Sequence, residues 1–262
     1  MSLERYKKNI RSQFGEDGII EETFKRISPQ SKICIEFGAW DGEHLSNTWS
    51  LWNNHDWKAI LIEGDKQKYE ALLNKYKNYK NVTCIHCYVE PTGIHSLDEI
   101  LSSNSLTESV DLLSIDIDGD DYHILAALKM KPRVICIEYN PTIPPDINFV
   151  QPKGEYIGSS ALSIIQLALT KGYQPYFITD TNIFLITEEE FAKLSLTFKL
   201  EELFPKKYLS YIFAGYDGKT FVNQLPVYTN SGKKSVYQKI VDALKFKHKK
   251  ISEFSEAKIY DK

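Results

Sequence analysis

The stretch Ile33–Thr48, ICIEFGAWDGEHLSNT, organises the rest of the chain. It opens with β-forming residues, which predict a buried strand, and then runs through Glu36, Gly38 and Gly42 into a predicted helix. Glycine is used where a chain turns sharply or where a ligand comes close to the backbone. A strand end with an acid, followed by glycines and a helix, therefore predicts a binding site for a small polar ligand.

The spacing of the glycines in this turn argues against a dinucleotide as its ligand. The pattern is E-x-G-x-x-x-G, whereas dinucleotide-binding folds have G-x-G-x-x-G. A pyrophosphate binds to bare amides at a helix N-terminus, and acids beside it would repel it. A cationic ligand that carries hydroxyl groups suits the turn better, and S-adenosylmethionine has both properties.

The composition is that of an ordinary globular protein. The 262 residues are 42% hydrophobic and 26% charged, which suits one α/β domain with additions better than two small domains. A net charge of −3 gives no overall attraction to nucleic acid or to an anionic membrane. No apolar run approaches the ~20 residues of a membrane span, and the first residues lack the apolar core of a signal peptide. We therefore expect a cytoplasmic protein.

The cysteines agree with that expectation. Cys34 and Cys136 lie in predicted strands, where a small buried hydrophobic side chain is the expected role. Cys84 and Cys87 form a C-x-x-C pair, but no second pair completes a zinc set. Strand packing is favoured over metal binding for this pair.

The hydrophobic pattern alternates between strands and helices up to residue 187. Beyond Glu188 the signal weakens, and we expect helical or irregular pieces with a lysine-rich helix from about Ser235. This gives a core at 1–190 and an extension at 191–262 packed on it. The predicted strands are 33–36, 58–65, 82–89, 110–115, 133–140, 173–179 and 183–187, and the main predicted helices are 12–27, 45–54 and 160–171.

Acidic residues follow four of the predicted strands: Glu36, Glu63, Asp116 and Glu138. Ligands of open α/β sheets bind at the carboxyl ends of the strands. An acid after the second strand is well placed to bind ribose hydroxyls, and Glu63 lies ~25 residues after Gly38, close to the ~20 expected. We therefore predict that these acids share one ligand-binding edge.

The run DIDGDD at 116–121 is similar to a calcium loop but departs from its pattern. Gly119 comes too early, and the twelfth position counted from Asp116 is Ala127 instead of glutamate. We therefore exclude an EF-hand. Asp120 and Asp121 are interpreted as a solvated first helical turn, while Asp116 is expected at the ligand edge.

Five segments together resemble a known family. They are SQFGEDGII, EFGAWDGEHLSNT, LIEGD, DLLSIDIDGDDY and VICIEYNPTIPP, and they are similar to class I S-adenosylmethionine-dependent methyltransferases, more closely to the FkbM-type and related small enzymes. The resemblance covers residues 12–187. It implies an α/β, Rossmann-like sheet that is mostly parallel, with seven strands, a terminal antiparallel hairpin and helices on both faces.

The resemblance also implies roles for individual residues. Glu36, Gly38 and Gly42 would form the loop on the methionine side of the cofactor, Glu63 would bind the ribose, and Asp116 would face the reactive centre. The further cofactor contacts that it implies are Gln13, Asn47, Tyr88 and Val89.

A divalent metal is implied by related O-methyltransferases of the catechol type. Those enzymes bind the ion through an acid after strand four and an acid–asparagine pair after strand five. Here Asp116 matches the first position, and Glu138 and Asn140 resemble the pair, although Tyr139 separates them. We therefore expect Mg²⁺ or another divalent cation at Asp116, Glu138 and Asn140.

The identity of the catalytic base stays open. In those relatives a lysine or histidine often stands three residues after the strand-four acid, and here that position is Gly119. His44, Asp118 and His123 are the candidates that remain, and His44 is favoured because it follows the cofactor turn.

The predicted function is an S-adenosylmethionine-dependent O-methyltransferase acting on a sugar or sugar nucleotide, in bacterial capsule or other surface polysaccharide synthesis. We place the acceptor pocket between the loop after strand five and residues 154–160, which would close as a lid. Tyr139 and Tyr156 are the predicted stacking surfaces.

Two other classes of function remain at this point. A metal-dependent phosphoester hydrolase would use the acids at 116–121, but it leaves the glycine turn and Glu63 without a role. A nucleotide- or glycan-binding scaffold would have kept the fold and lost the chemistry. The sequence leaves the oligomeric state open, a homo-oligomer included.

Overall fold

A seven-stranded sheet forms the centre of the first of two units of the chain, Met1–Phe204. The structure, a computed structural model, describes residues 3–216 and 218–224. The strand order is β3-β2-β1-β4-β5-β7-β6, with β1 to β5 parallel and β7 antiparallel to both its neighbours, which confirms the predicted sheet. The strands are β1 (Ile33–Phe37), β2 (Lys58–Glu63), β3 (Val82–His86), β4 (Leu112–Ile115), β5 (Val134–Glu138), β6 (Tyr173–Ile178) and β7 (Asn182–Thr187).

Helices cover both faces of this sheet. One hydrophobic cluster packs the first three helices against alternate strand residues such as Cys34, Leu61 and Leu112. The intervening residues, among them Ile35 and Leu113, are also fully buried, as in a sheet covered on both sides. The helices are α1 (Glu16–Ile27), α2 (Trp49–Asn54), α3 (Lys66–Tyr76), α4 (Leu97–Ser103), α5 (Asp121–Ala127), α6 (Ala161–Thr170), α7 (Glu188–Leu194) and α8 (Leu200–Leu203), with a 3₁₀ turn at Glu4–Tyr6.

Side-chain hydrogen bonds fix the starts of α1 and α3. The sequence predicts that the segment 12–27 enters its helix through Gly15, and α1 begins directly after that glycine, at Glu16, while the amides of residues 10–12 donate to the Asp17 carboxylate. Asp65 caps α3 by accepting from two backbone amides. The sequence SLDE at 96–99 has the pattern of a capping box and predicts a helix start, but the Ser96 side chain makes no capping hydrogen bond at the start of α4.

The second unit begins at Pro205. It contains a 3₁₀ turn at Lys206–Tyr208 and an antiparallel hairpin of β8 (Ile212–Ala214) and β9 (Thr220–Val222), which the sequence pattern did not predict. The predicted division of the chain at residue 190 stays a prediction. The lysine-rich helix expected from Ser235 lies outside the described residues.

Membrane-spanning helices are absent from the described part of the chain, where every helix is too short or too polar to cross a bilayer.

The register of the sheet aligns one row of residues along its carboxyl edge. Phe37 of β1 pairs with Ile62 and Ile115, and Ile115 pairs with Ile137, so the residues that follow them are neighbours. Side chains in one row of a sheet point to the same face. We call this row the edge row, and its members are Glu63, Gly38, Asp116, Glu138 and Asn182.

Candidate active site

The turn after β1 lies directly against the end of β4. Gly38 has a φ of +74°, and a Cβ built on it would lie 2.2 Å from the carbonyl oxygen of Asp116. Trp40 has a φ of 47°, which costs a non-glycine residue ~1–2 kcal/mol. Its amide donates to Glu63 Oε2 at 2.7 Å, and this bond holds the turn beside β2. Only glycine at residue 38 permits so close an approach.

The far end of the same turn packs on α3. Gly42 has a φ of +80°, and a Cβ there would lie 2.6 Å from the ring of Tyr76. The Tyr76 hydroxyl donates to Glu43 Oε1 at 3.0 Å. Gly42 therefore has a packing reason of its own, and its cofactor contact stays a prediction.

The buried Glu36 carboxylate fixes the turn by accepting hydrogen bonds from it. Its carboxylate is 6% exposed and accepts hydrogen bonds from the hydroxyls of Ser46 at 2.6 Å and Thr48 at 2.7 Å and from the Asn47 amide at 2.8 Å. Burial raises the pKa of Glu36, and these three bonds oppose that rise. The Asn47 carboxamide donates in turn to Ser114 Oγ at 3.1 Å. The carboxylate thus orders residues 46–48 against β4, so that α2 begins at Trp49 instead of residue 45.

Glu63 occupies the position expected of a ribose-binding acid. It is 5% exposed, and its two oxygens accept from the amides of Trp40 at 2.7 Å and Asp65 at 2.8 Å. A carboxylate oxygen has a second lone pair, so both oxygens keep capacity for a ligand hydroxyl. Beyond β3, the ring of Tyr88 lies on Gly64, where an added Cβ would be 2.2 Å from it.

Tyr88 and Val89 follow the end of β3 at this same edge of the sheet. The Tyr88 side chain is 66% exposed and Val89 is half-buried. Their contacts with a cofactor stay predictions.

Gln13 lies in an ordered loop before α1. The Asp17 carboxylate accepts the amides of residues 10–12 at 2.7–2.9 Å, which fixes this loop. Glu16 Oε1 accepts from the Thr179 hydroxyl at 2.6 Å and joins the start of α1 to the end of β6. Gln13 itself is exposed. The loop is therefore fixed beside the carboxyl edge while its glutamine faces solvent.

Asp116, Asp118 and Glu138 form an acid cluster. One oxygen of each lies within 4.8 Å of the other two. Burial, and then the neighbouring carboxylates, raises the pKa of Asp116 and of Glu138 well above its ordinary value, and a hydrogen bond joins the two side chains. Asp118 is exposed and has a φ of 59°.

Asp121 corrects the prediction of a solvated helical turn. It is 4% exposed and accepts from the amides of Ile117 at 3.0 Å and Gly119 at 2.9 Å. Burial, as the main cause, raises its pKa to about 6. Asp120 Oδ1 also accepts hydrogen bonds, from Gln151 Nε2 at 3.0 Å and from the Gly154 amide at 2.9 Å. Both acids therefore build the turn that presents Asp118.

Residues 151–159, which we call the Gln151 loop, form the wall beside this cluster. Gln151 is 1% exposed. Its Nε2 donates to Asp120 Oδ1 at 3.0 Å, and its Oε1 accepts from the amides of Ile157 at 3.2 Å and Gly158 at 2.7 Å. One buried carboxamide thus fixes both ends of the loop to the acidic turn.

The loop also contacts the cluster and the end of β5. The Tyr156 hydroxyl donates to Asp118 Oδ2 at 2.9 Å, and its side chain is 78% exposed. Asn140 Nδ2 donates to the Ile157 carbonyl at 2.7 Å, while Asn140 Oδ1 accepts from the amide and hydroxyl of Thr142 at 2.8 and 2.6 Å. The Asn140 side chain therefore holds the loop, and its role as a metal ligand stays a prediction.

Three other predicted residues lie apart from the acid cluster. Tyr139 is 2% exposed and donates to the Thr179 carbonyl at 3.0 Å, so the prediction of a stacking surface there is wrong. The exposed ring of His44 packs on Trp40 at 4.7 Å. His123 Nε2 lies 2.8 Å from the Gln151 carbonyl oxygen. No described contact brings either histidine to the acids, and His44 as the base stays a prediction.

The acid cluster is the one group of three or more potential His, Cys, Asp or Glu ligands within residues 3–216 and 218–224. The pair Cys84 and Cys87 belongs to no such group, and both thiols are free and half-buried. Cys84 lies in β3 and packs against the hydrophobic cluster of the sheet, and the role of the pair stays a prediction.

Two site residues gave no usable signal in the sequence. Gln151 stands in a loop without periodicity, and Asn182 stands in what looked like a short hairpin turn. Their places depend on hydrogen bonds and strand pairing over long chain distances, which spacing rules do not reach.

Replacing Gln151 by alanine should open the Gln151 loop to trypsin at the exposed Lys153. Loss of the carboxamide leaves buried partners unpaired, which costs ~1–3 kcal/mol and favours local opening. We expect cleavage after Lys153 to accelerate about tenfold or more, measured by mass spectrometry of timed digests. The control is Asn148→Ala, which removes only an exposed hydrogen bond to Gln166. Equal cleavage rates in the two variants would contradict this role for Gln151.

The sequence matches no protein-family model, and no curated protein matches it. Solved structures are similar to part of the chain at low identity. The N-terminal domain of EvdMO1 with SAH bound is 11% identical, with 66% of this chain and 80% of that chain covered and a TM-score of 0.44. A SAM-dependent methyltransferase from Aquifex aeolicus is 11% identical, over 70% and 94% of the chains, with a TM-score of 0.39. TrmK from M. capricolum in complex with S-adenosyl-homocysteine is 14% identical, over 64% and 65%, with a TM-score of 0.38.

Proposed function

We propose that this chain is an S-adenosylmethionine-dependent methyltransferase that methylates a hydroxyl group of a small acceptor, a sugar or a sugar nucleotide. The observation that carries the proposal is the position of the edge row. The strand order reverses between β1 and β4, where open α/β sheets bind their ligands. Gly38 stands at this point, with Glu63 on one side and Asp116 on the other.

The cofactor would lie across this point with its ribose on Glu63. Its adenine would lie towards Tyr88 and Val89, and its methionine part along the turn after Gly38. The implied contacts of Gln13 and Asn47 belong to the same arrangement. Acids at this edge favour the positive sulfonium, whereas they would oppose a pyrophosphate.

The reaction would be a direct transfer. The bound cofactor would supply a methyl group on a sulfonium to the acceptor oxygen, and S-adenosylhomocysteine would be the second product. Alignment of the two reactants can lower the barrier by ~7–11 kcal/mol. The hydroxyl proton passes to Asp118, the exposed acid of the cluster, which is proposed as the base and can contribute ~10²–10⁴-fold. Asp116 faces the reacting atoms.

A divalent cation is part of the proposal. The acid cluster offers only oxygen ligands at close range, which suits Mg²⁺ or Ca²⁺ and not zinc. Asp116 and Glu138 would hold the ion, with Asp118 beside them. When bound, such an ion supplies Lewis acidity that lowers the pKa of an acceptor hydroxyl.

The acceptor would lie between the acid cluster and the Gln151 loop. Tyr156 offers an exposed ring at the mouth of this space, and hydrophobic Ile157 is 45% exposed beside it. Such surfaces suit the apolar face of a sugar ring. Methylation of a capsule or other surface polysaccharide precursor is the pathway role that we propose.

Replacing Glu63 by alanine should weaken S-adenosylhomocysteine binding by ~1.5–3 kcal/mol, because it removes a charged acceptor of the ribose hydroxyls. Isothermal calorimetry on folded protein measures this. Asp65→Ala is the matched control, since it removes the neighbouring helix cap and leaves the Glu63 carboxylate in place. An unchanged affinity in Glu63→Ala would remove Glu63 from the site.

Product analysis tests the function itself. The full chain is incubated with S-adenosylmethionine, Mg²⁺ and a panel of nucleotide-linked sugars, and mass spectrometry should find one acceptor heavier by one methylene unit. A chain that neither binds S-adenosylhomocysteine nor methylates an acceptor would contradict the proposal. Release of phosphate from phosphoesters in the same mixtures would favour a hydrolase instead.

A further inference from the structure

Asn182 carries a buried oxygen that lacks a hydrogen-bond partner. The side chain is 4% exposed, and its Oδ1 makes no hydrogen bond within the part of the chain that the structure describes. The other end of the carboxamide is occupied, because Nδ2 donates to Thr181 Oγ1 at 3.2 Å and to Glu16 Oε1 at 3.5 Å. A buried carbonyl oxygen without a partner costs ~1–3 kcal/mol. This oxygen is therefore a candidate acceptor for a hydrogen-bond donor or a candidate ligand for a cation.

The strand register places the Asn182 side chain in the same row as the acids. Asn182 of β7 pairs directly with Glu138 of β5, and Asp116 follows Glu138 in the edge row. Directly opposed residues of an antiparallel pair have Cβ atoms ~4.5–5.5 Å apart on the same face. Three oxygen-bearing side chains from neighbouring strands thus stand side by side.

We propose that Asn182 Oδ1 completes a divalent-cation site with Asp116 and Glu138. The inference rests on the cation in the proposed function and assigns to it a ligand from β7. Two carboxylates and one amide oxygen form a hard set, which suits Mg²⁺ or Ca²⁺. The two hydrogen bonds of Nδ2 fix the carboxamide and leave Oδ1 without a partner among the described residues.

Asn140 is the alternative that the family resemblance suggests. Its carboxamide is already engaged at both ends, with the Ile157 carbonyl and with Thr142. Ligation by Asn140 would break these bonds and free the Gln151 loop. Asn182 needs no such rearrangement, because its oxygen has no bond to lose.

A bound water is the other partner that could satisfy Asn182. It would supply hydrogen bonds to Oδ1 but would leave the acids as they are. A cation satisfies Oδ1 and also offsets the repulsion between neighbouring carboxylates. The two cases differ in whether the affinity for Mg²⁺ depends on Asn182.

Calorimetric titration of the full chain with Mg²⁺ and with Ca²⁺ tests the inference without any activity assay. Wild type should bind one ion, Asn182→Ala should bind it at least tenfold more weakly, and Asn182→Asp should retain binding because it restores an oxygen ligand. Asn140→Ala is the matched comparison and should keep wild-type affinity. Thermal melts establish that each variant is folded, and Asn182→Asp decides if Asn182→Ala fails to fold.

Equal affinities of wild type and Asn182→Ala would overturn the assignment, as would a tenfold loss in Asn140→Ala alone. Absence of any ion binding by wild type would overturn it too. Each of these results is separable from failure of the methyltransferase proposal, because S-adenosylhomocysteine binding is measured on the same samples. Retained S-adenosylhomocysteine binding with no ion would leave a metal-free methyltransferase.

Discussion

Replacing Gly38 by alanine should reduce S-adenosylhomocysteine binding by ~100-fold or more, which is about 3 kcal/mol. The new methyl group would lie 2.2 Å from the carbonyl oxygen of Asp116, a backbone atom that no side-chain rotation can move away. The turn after β1 and the end of β4 would have to separate at the point where the cofactor is proposed to lie. Isothermal calorimetry measures the loss, and thermal melting measures the accompanying loss of stability.

Gly93→Ala is the matched control for this substitution. Gly93 has a φ of +86°, similar to the +74° of Gly38, but an added Cβ there meets no atom within 4 Å. Both variants therefore incur the cost of a left-handed alanine, ~1–2 kcal/mol. Only Gly38→Ala adds the collision with β4. Indistinguishable affinities in the two variants would show that the close approach at Gly38 has no part in binding.

Replacing Asp111 by alanine should destabilise the protein by ~3–5 kcal/mol, because it removes one of the two carboxylate partners of a buried guanidinium and the acceptor of three backbone amides. Asp111 is fully buried, and its Oδ1 accepts from Arg133 Nη1 at 2.7 Å. Its Oδ2 accepts from the amides of residues 30–32 at 2.8–2.9 Å, which fixes the entry to β1. Arg133 also pairs with Glu190 at 2.8 Å. Urea unfolding followed by circular dichroism measures the change.

Glu108→Ala provides the comparison for the buried pair. Glu108 pairs with Lys58 at 3.3 Å, but the two side chains are 58% and 63% exposed. Exposed pairs are typically worth less than ~1 kcal/mol, since water and salt screen them. If Asp111→Ala costs no more than Glu108→Ala, the buried network does not support the fold. Asp111 lies before β4, at the edge of the sheet opposite the site, so the S-adenosylhomocysteine affinity of the folded Asp111→Ala protein should match wild type.

The sheet could be predicted from the sequence because its signals are local. Short runs such as Ile33–Phe37 and Val134–Glu138 combine β-branched residues with an acid at the end, and each forms the strand predicted for it. Gly38, directly after β1, is likewise required by its own backbone, which has a φ of +74°. The start of α2 was less predictable, since the Glu36 carboxylate holds residues 46–48, which local propensity would have placed in the helix.

The part of the candidate site that the sequence predicted is the set of strand-end acids. Parallel strands end at one edge, so Glu63, Asp116 and Glu138 had to become neighbours once the strands were identified. The sequence could not distinguish Asn140, which is used to hold a loop, from Asn182, which pairs with Glu138 across an antiparallel ladder.

The sequence by itself thus determined the sheet, the glycine turn and the acids at the strand ends, because alternation, glycine geometry and strand direction are properties of short segments. Tertiary structure decided which acids are free for a ligand and which serve the fold. Asp121 and Glu36 accept hydrogen bonds from amides and hydroxyls of their own turns, whereas Asp118 is exposed and accepts one from the Tyr156 hydroxyl. That difference depends on hydrogen-bond partners that only the folded chain brings together.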